Sequence, residues 1–288
     1  VVQNGKTSQQ LKIVMYDRKL SIICDSDLNL WPSVLRIFDA EARELGYSIG
    51  ITYVTPEDVK EAVAACNAPE VAGVLLYATE MREEDFAPFR AVRKPLVVYD
   101  HVCSPRHHCV VADNEDGTME LTRYLIRMGC RRIEYLAHKH YIYNFEQRRI
   151  GFIGSIHLMG LEREACPILY AGYGISDVES YMKEWLKEHP LPDAYIMENY
   201  QVSIGLMRAL RELNIKVPEQ VSLIGIDEVP DYMTDRLKIT CLHIDHTNRA
   251  QVVIRQLVQE IRDPSHIKLK IVSRSRLVEG DSVRKCNE

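Results

Sequence analysis

No run of this sequence approaches the roughly 18 consecutive apolar residues of a membrane-spanning helix, and nothing at its start pairs a basic stretch with an apolar one as a secretory leader does. A cytoplasmic protein without membrane attachment is expected. Positive charge is not in surplus: 36 Lys and Arg stand against 41 Asp and Glu, a net charge of −5. The chain by itself therefore has no phosphate-neutralising surface with which to grip DNA. Cysteine is neither dense nor regularly spaced. Cys24, Cys66, Cys103, Cys109, Cys130, Cys166, Cys241 and Cys286 are scattered through expected strands, helices and loops, as reduced thiols are and a disulfide framework is not.

Catalytic signatures are also missing. "FIGS" around Ser155 lacks the flanking pattern of a nucleophile elbow, "GYG" at Gly172–Gly174 lacks the third glycine of a dinucleotide fingerprint, and no phosphate loop occurs. The stretch "HVCSPRHHC" crowds His101, Cys103, His107, His108 and Cys109 together, but its spacings match no zinc ribbon or finger, so a polar loop is the plainer reading. No cofactor is implied. Low-complexity tracts and tandem repeats are absent.

What the sequence does contain is a succession of strand-length apolar runs. "LSIIC" (Leu20–Cys24), "VAGVLL" (Val71–Leu76), "PLVVY" (Pro95–Tyr99), "RIEYL" (Arg132–Leu136), "AYIM" (Ala194–Met197) and "VSLIGI" (Val221–Ile226) are continuous rather than alternating, as in parallel sheets covered on both faces. Helical periods fall between them. Leu35, Phe38, Ala42 and Leu45 share a face before Gly46; Leu121, Tyr124, Leu125 and Met128 do so before Gly129; Val202, Leu206, Leu210 and Leu213 follow the same spacing. With 288 residues and more units than one sheet needs, the expectation is an α/β chain of two doubly wound parallel-sheet lobes. The residues before Leu20 are polar, then short and mixed, and could be a tail, a linker remnant or an edge strand.

Open parallel sheets bind ligands beyond the carboxyl ends of their strands. The polar residues placed there are Asp25, Ser26, Asp27, Asn29, Asp100, His101, Asp113, Asn114, His138 to Arg148, Glu198, Asn199, Asp227 and Glu228. Any one of them alone reads as a helix cap or solvated loop residue. Together with Trp31, Tyr141, Tyr143, Phe145 and Tyr200 they offer bidentate hydrogen bonding and flat apolar faces, a combination suited to a sugar or another small ring-bearing polar molecule.

The stretch "VADNEDGTMELTRYLIRMGCRRIEYLA", with "QRRIGF", "DAYIMENYQVSIGLMRAL" and "VPEQVSLIGIDEVP", resembles the effector-binding core of the lactose-repressor and galactose-repressor family of bacterial transcription regulators. The resemblance runs from about Leu20 to about Val278. It implies a periplasmic-binding-protein-like type I fold with a ligand cleft between its lobes, a small sugar-like effector, a homodimer, and contact with operator DNA through an N-terminal domain; no helix-turn-helix is recognisable before Leu20. It assigns residues 1–19 to a leader or linker remnant, 20–112 plus 245–262 to an N-terminal lobe, and 113–244 plus 263–288 to a C-terminal lobe. By position, Asn29 and Trp31 take the first-strand loop of the family and Asp100 and His101 its polar pair. Arg148 matches its arginine clamp, Asn199 and Tyr200 its Asn-Asp pair, and Asp227 its hydroxyl-gripping carboxylate. Two departures matter: Tyr200 stands where an acid is usual, and the proline has moved to Pro32. The implied mechanism is a population shift in which the effector favours one lobe arrangement. A transport-type solute-binding protein is the alternative, disfavoured by the free cysteines and by "GCRRIEYL" and "VPEQVSLIGID". An intracellular enzyme comes third, because no nucleophile or acid/base pair assembles.

Overall fold

The computed structural model describes residues 9–20, 22, 30–102, 106–234 and 236–284. In chain order the strands are β1 (Gln10–Tyr16), β2 (Ser48–Val54), β3 (Val71–Tyr77), β4 (Leu96–Tyr99), β5 (His108–Ala112), β6 (Ile133–His138), β7 (Ile168–Gly172), β8 (Ala194–Met197), β9 (Ser222–Ile226), β10 (Thr240–His243), β11 (Lys270–Ser273) and β12 (Arg276–Val278). The helices are α1 (Leu30–Glu44), α2 (Val59–Cys66), α3 (Asn114–Arg127), α4 (Tyr143–Leu158), α5 (Ile175–Glu188), α6 (Tyr200–Glu212) and α7 (His246–Arg262).

The chain divides into two compact units. Unit 1 takes Val1–Ala112, Ile142–Asn144 and Asp245–Ser273; unit 2 takes Asp113–Tyr141, Phe145–Ile244 and Arg274–Glu288. The sheet of unit 1 has the order β11-β5-β4-β3-β1-β2 and every pairing in it is parallel. Unit 2 has the order β12-β10-β9-β8-β6-β7, parallel except where β12 meets β10. The apolar runs behave as two-faced burial requires: β4, β5, β6, β8 and β9 are buried at every residue. In unit 1, Val34, Phe38 and Ala42 of α1 and Val253, Ile254 and Leu257 of α7 complete one face of the core. In unit 2, Val178 and Met182 of α5 and Val202, Leu206 and Leu210 of α6 do the same.

Two expectations change. The first strand is Gln10–Tyr16 rather than Leu20–Cys24, of which Leu20 and Ile22 are described and lie in no strand. It is an interior strand between β3 and β2, with Leu11, Ile13, Val14, Met15 and Tyr16 buried, so residues 10–16 are structural and no leader. The segment after α7 is also reassigned. Lys270–Ser273 pairs in parallel with His108-bearing β5 and groups with unit 1, whereas Arg276–Val278 pairs with β10 in unit 2.

Gly151, in mid-helix on α4, marks a close approach. A Cβ there would lie 2.2 Å from the carbonyl oxygen of Glu115 in α3. Only glycine lets the two backbones meet at this distance, and the meeting brings the next turn of α4 within reach of Asn114.

Candidate functional site

Strands β9, β8 and β6 are parallel neighbours in unit 2, so their carboxyl ends deliver Asp227, Glu198 and His138 to one edge of the sheet. Arg148 reaches that edge from α4. It is buried, its Nε–H donates to Asn114 Oδ1 (2.9 Å), and its Nη1 donates to the main-chain carbonyl of Glu198 (2.6 Å). Its Nη2 stands 3.5 Å from Asp227 Oδ2, close enough for ion pairing but long for a hydrogen bond. Asp227 holds a left-handed φ of 71° directly after β9, a conformation that Asp tolerates better than most residues. The neighbouring Glu228 is exposed and accepts from His243 Nδ1 (2.8 Å), so the two adjacent carboxylates have different surroundings.

Beneath Arg148 lies a fully buried charge pair. Arg149 Nε and Nη2 donate to the two carboxylate oxygens of Glu198 (2.7 and 2.8 Å), and Nη2 also donates to the His138 carbonyl (2.7 Å). Glu198 accepts further from the His138 amide (2.7 Å) and the Tyr135 hydroxyl (3.1 Å). Burial alone would lower the Arg149 value, but Glu198 holds it above that of an ordinary arginine. Two consecutive arginines thus clasp residue 198, one by its main chain and one by its side chain. His138 has its Nδ1 accepting from the His140 amide (3.2 Å), so its Nε2–H is the donor to the Tyr173 carbonyl (3.0 Å). Burial, then His140, push this imidazole down to about 4, so it is neutral at pH 7.

Asn199 caps α6, its Oδ1 accepting from the Val202 amide (3.0 Å), and its Nδ2 donates to Gln201 Oε1 (3.4 Å). Tyr200 is the first residue of α6 and is half-buried. The structure therefore brings Arg148, Asp227, Asn199 and Tyr200 to the same end of the unit 2 sheet.

In unit 1, Asp100 follows β4 with a left-handed φ of 70°. Its carboxylate is buried under three donors: Thr79 Oγ1 (2.7 Å), Asn144 Nδ2 (2.8 Å) and Arg249 Nη1 (2.9 Å). Burial alone would raise its value, but Arg249, Thr79 and Asn144 hold it below the usual carboxylate range. Arg249 lies over the Tyr99 ring (4.8 Å) and donates to its hydroxyl (2.9 Å). The His101 ring sits 4.9 Å from Phe86 and 4.6 Å from Tyr143, donates through Nδ1 to the Val102 carbonyl (2.8 Å), and is lowered by burial. Asn29 lies outside the described residues, and Trp31 is placed only as the second residue of α1.

The described members of the His/Cys loop do not converge. His108 Nδ1 accepts from the Leu269 amide and its Nε2 donates to Glu260, while Cys109 is packed in the apolar core. Among the described residues no group of three metal-ligating side chains forms. Arg149 lies in the "QRRIGF" stretch but is assigned no role there beside Arg148, and Arg249 carries no motif and follows no strand; Glu198 and Asn114 do stand at strand ends.

Residues 122–283, more than half of the chain, match the model of the periplasmic binding protein-like domain. The transcriptional regulator GalS of Salmonella typhimurium is 26% identical over 186 residues, 63% of this chain and 54% of its own length. The repressor PurR of Pasteurella multocida is 23% identical over 269 residues, 91% of this chain and 80% of its own. The chain thus spans about half of one relative and four-fifths of the other. Among solved structures, the Lac repressor dimer bound to operator and an anti-inducer superposes with a TM-score of 0.80 at 20% identity, covering 97% of this chain and 95% of that one. A LacI family regulator of Enterococcus faecium with bound ribose gives 0.80 at 14% identity, covering 96% and 100%. Among the described residues no helix is long and apolar enough to cross a membrane. The chain belongs to the periplasmic binding protein-like domain family.

Proposed function

We propose that this chain is the effector-sensing and dimerisation core of a cytoplasmic LacI-type transcriptional regulator, that it is not an enzyme, and that its effector is a sugar-like molecule. The observation that carries the reading is the juxtaposition of Arg148 with Asp227 at the carboxyl end of β9. A guanidinium offers only donors and a carboxylate only acceptors. Side by side, the two match a hydroxyl, which gives a hydrogen to one and takes one from the other. Their opposite charges also suit an uncharged polyol better than an anion. Asn199 and Tyr200 follow directly on Glu198, whose carbonyl accepts from Arg148, and GalS and PurR, both regulators, support the regulatory role.

Asp100 has a different part in this reading. With three donors on its carboxylate it fixes the end of β4 and presents His101, rather than gripping hydroxyls itself. Asn29 and Trp31 remain proposed contacts by position alone. Effector binding would favour one of two conformations of the core and pass that bias to operator DNA through a DNA-binding domain. Such a coupling typically amounts to about 1–3 kcal/mol.

A thermal-shift screen of monosaccharides, disaccharides and nucleosides, followed by calorimetry on the hit, tests the proposal. Arg148→Ala and Asp227→Ala are each expected to weaken binding at least about tenfold, the scale of one charged hydrogen bond, while leaving the fold intact. Unchanged affinity in both variants would refute the site. The gene sequence upstream of Val1 tests the regulatory role: a helix-turn-helix supports it and a secretory signal sinks it.

A further inference from the structure

A cavity of about 200 Å³ opens in unit 2 between the second half of α4 and the start of β7. Phe152, Ile156 and Cys166, all buried, form its floor, and Ile153, Leu161 and Ile168 its walls. It is larger than the roughly 150 Å³ apolar cavity that accepts benzene in an engineered protein. Its position also sets it apart from the Arg148 set. Ile168 begins β7, so the cavity lies toward the amino ends of the strands, whereas Arg148 and Asp227 lie at the carboxyl ends.

Two exposed cationic or cationisable side chains, His157 and Arg163, complete the lining. Among the described residues Arg163 makes no side-chain hydrogen bond or ion pair, although Glu162 and Glu164 flank it in sequence. An apolar chamber about the size of one ring, with an uncommitted guanidinium at its mouth, fits a small molecule that is apolar at one end and anionic at the other. We propose that this cavity is a second ligand site, for a small aromatic or branched carboxylic acid.

A route for communication is also built in. The Phe152 ring packs 5.1 Å from that of Tyr135, whose hydroxyl donates to Glu198 (3.1 Å). The carbonyl of Glu198 in turn holds Arg148 (2.6 Å). An occupant pressing on Phe152 therefore acts on the residue that orients Arg148. The site itself does not depend on the effector reading, since its probe and its residues are separate.

Benzoate is the probe, titrated into the 15N-labelled chain and followed by amide chemical shifts. The expected result is saturable binding with a Kd of about 1 mM or tighter, with shifts centred on Phe152, Ile153, Ile156 and Cys166 and reaching Glu198 and His138. Ile153→Trp, which fills the cavity, should abolish the saturable shifts. Arg163→Ala, at an exposed position that folding does not need, should weaken binding about threefold, as loss of an exposed ion pair does. Shifts that are non-saturating or scattered over the surface, or saturable binding that survives Ile153→Trp, overturn the proposal. A titration that moves the lining alone keeps the site and removes its link to Glu198. Should Ile153→Trp fail to fold, the shift map and Arg163→Ala still decide.

Discussion

Glu198→Ala is the sharpest perturbation the structure offers. The change removes both carboxylate oxygens from Arg149 at 2.7 and 2.8 Å, and the acceptor for the His138 amide and the Tyr135 hydroxyl. Arg149, itself buried, keeps the His138 carbonyl at 2.7 Å, the Tyr170 ring at 4.9 Å and Glu146 at 3.8 Å, whose side chain is 43% exposed and therefore well screened. A buried charge stripped of its partner costs about 3–5 kcal/mol. The double variant Arg149→Met, Glu198→Met removes the charge problem, because replacing a buried pair by apolar residues of similar volume is often neutral. It still orphans the His138 amide, which costs about 1–3 kcal/mol. The single variant should therefore be less stable than the double variant, and the double less stable than the parent. Urea titration at pH 7, with midpoints compared at constant m, measures all three. A single-variant loss below about 1 kcal/mol, or a double variant no more stable than the single, would refute the reasoning.

Three further outcomes are expected. Gly151→Ala drives a Cβ to 2.2 Å from the Glu115 carbonyl and should cost about 1–3 kcal/mol through forced backbone shifts, read from the urea midpoint. Arg249→Leu leaves Asp100 buried beside Thr79 and Asn144 with its cationic partner gone; a loss of about 3 kcal/mol is expected, and near-neutral stability would show that the pair is dispensable. For His138 the folded value, about 4, lies below the ordinary 6.5, so the unfolded chain binds the proton first. Its stability contribution is complete above pH 6.5 and falls away as pH drops toward 4, by about 3 kcal/mol in all. His138→Gln should flatten that part of the stability-against-pH curve, and an unchanged slope would count against the assignment.

The parallel α/β architecture was legible in the chain because burial on both faces of a strand leaves a local record. "AYIM" became β8 without a change of boundary, and "VSLIGI" lost one residue in becoming β9. Helix faces left a comparable record, as Phe38, Ala42, Leu121, Leu125, Val202 and Leu206 are all buried. The strand at Gln10–Tyr16 was not legible, because Lys12 interrupts its apolar run and polar residues precede it. Only its pairing with both β2 and β3 makes it an interior strand.

The candidate site divides along the same line. The sequence by itself determined that polar residues follow the strands, and so that Arg148, Glu198, Asn199 and Asp227 were worth attention, since strand order and period act over a few residues. The tertiary structure alone decided which partners each of them meets. Arg149 meets Glu198 across 49 positions and Arg249 meets Asp100 across 149, separations at which no local pattern constrains a partner. A buried charge needs its counter-charge in space rather than in sequence, and for that reason the residues committed to one another could be told only once the chain was folded.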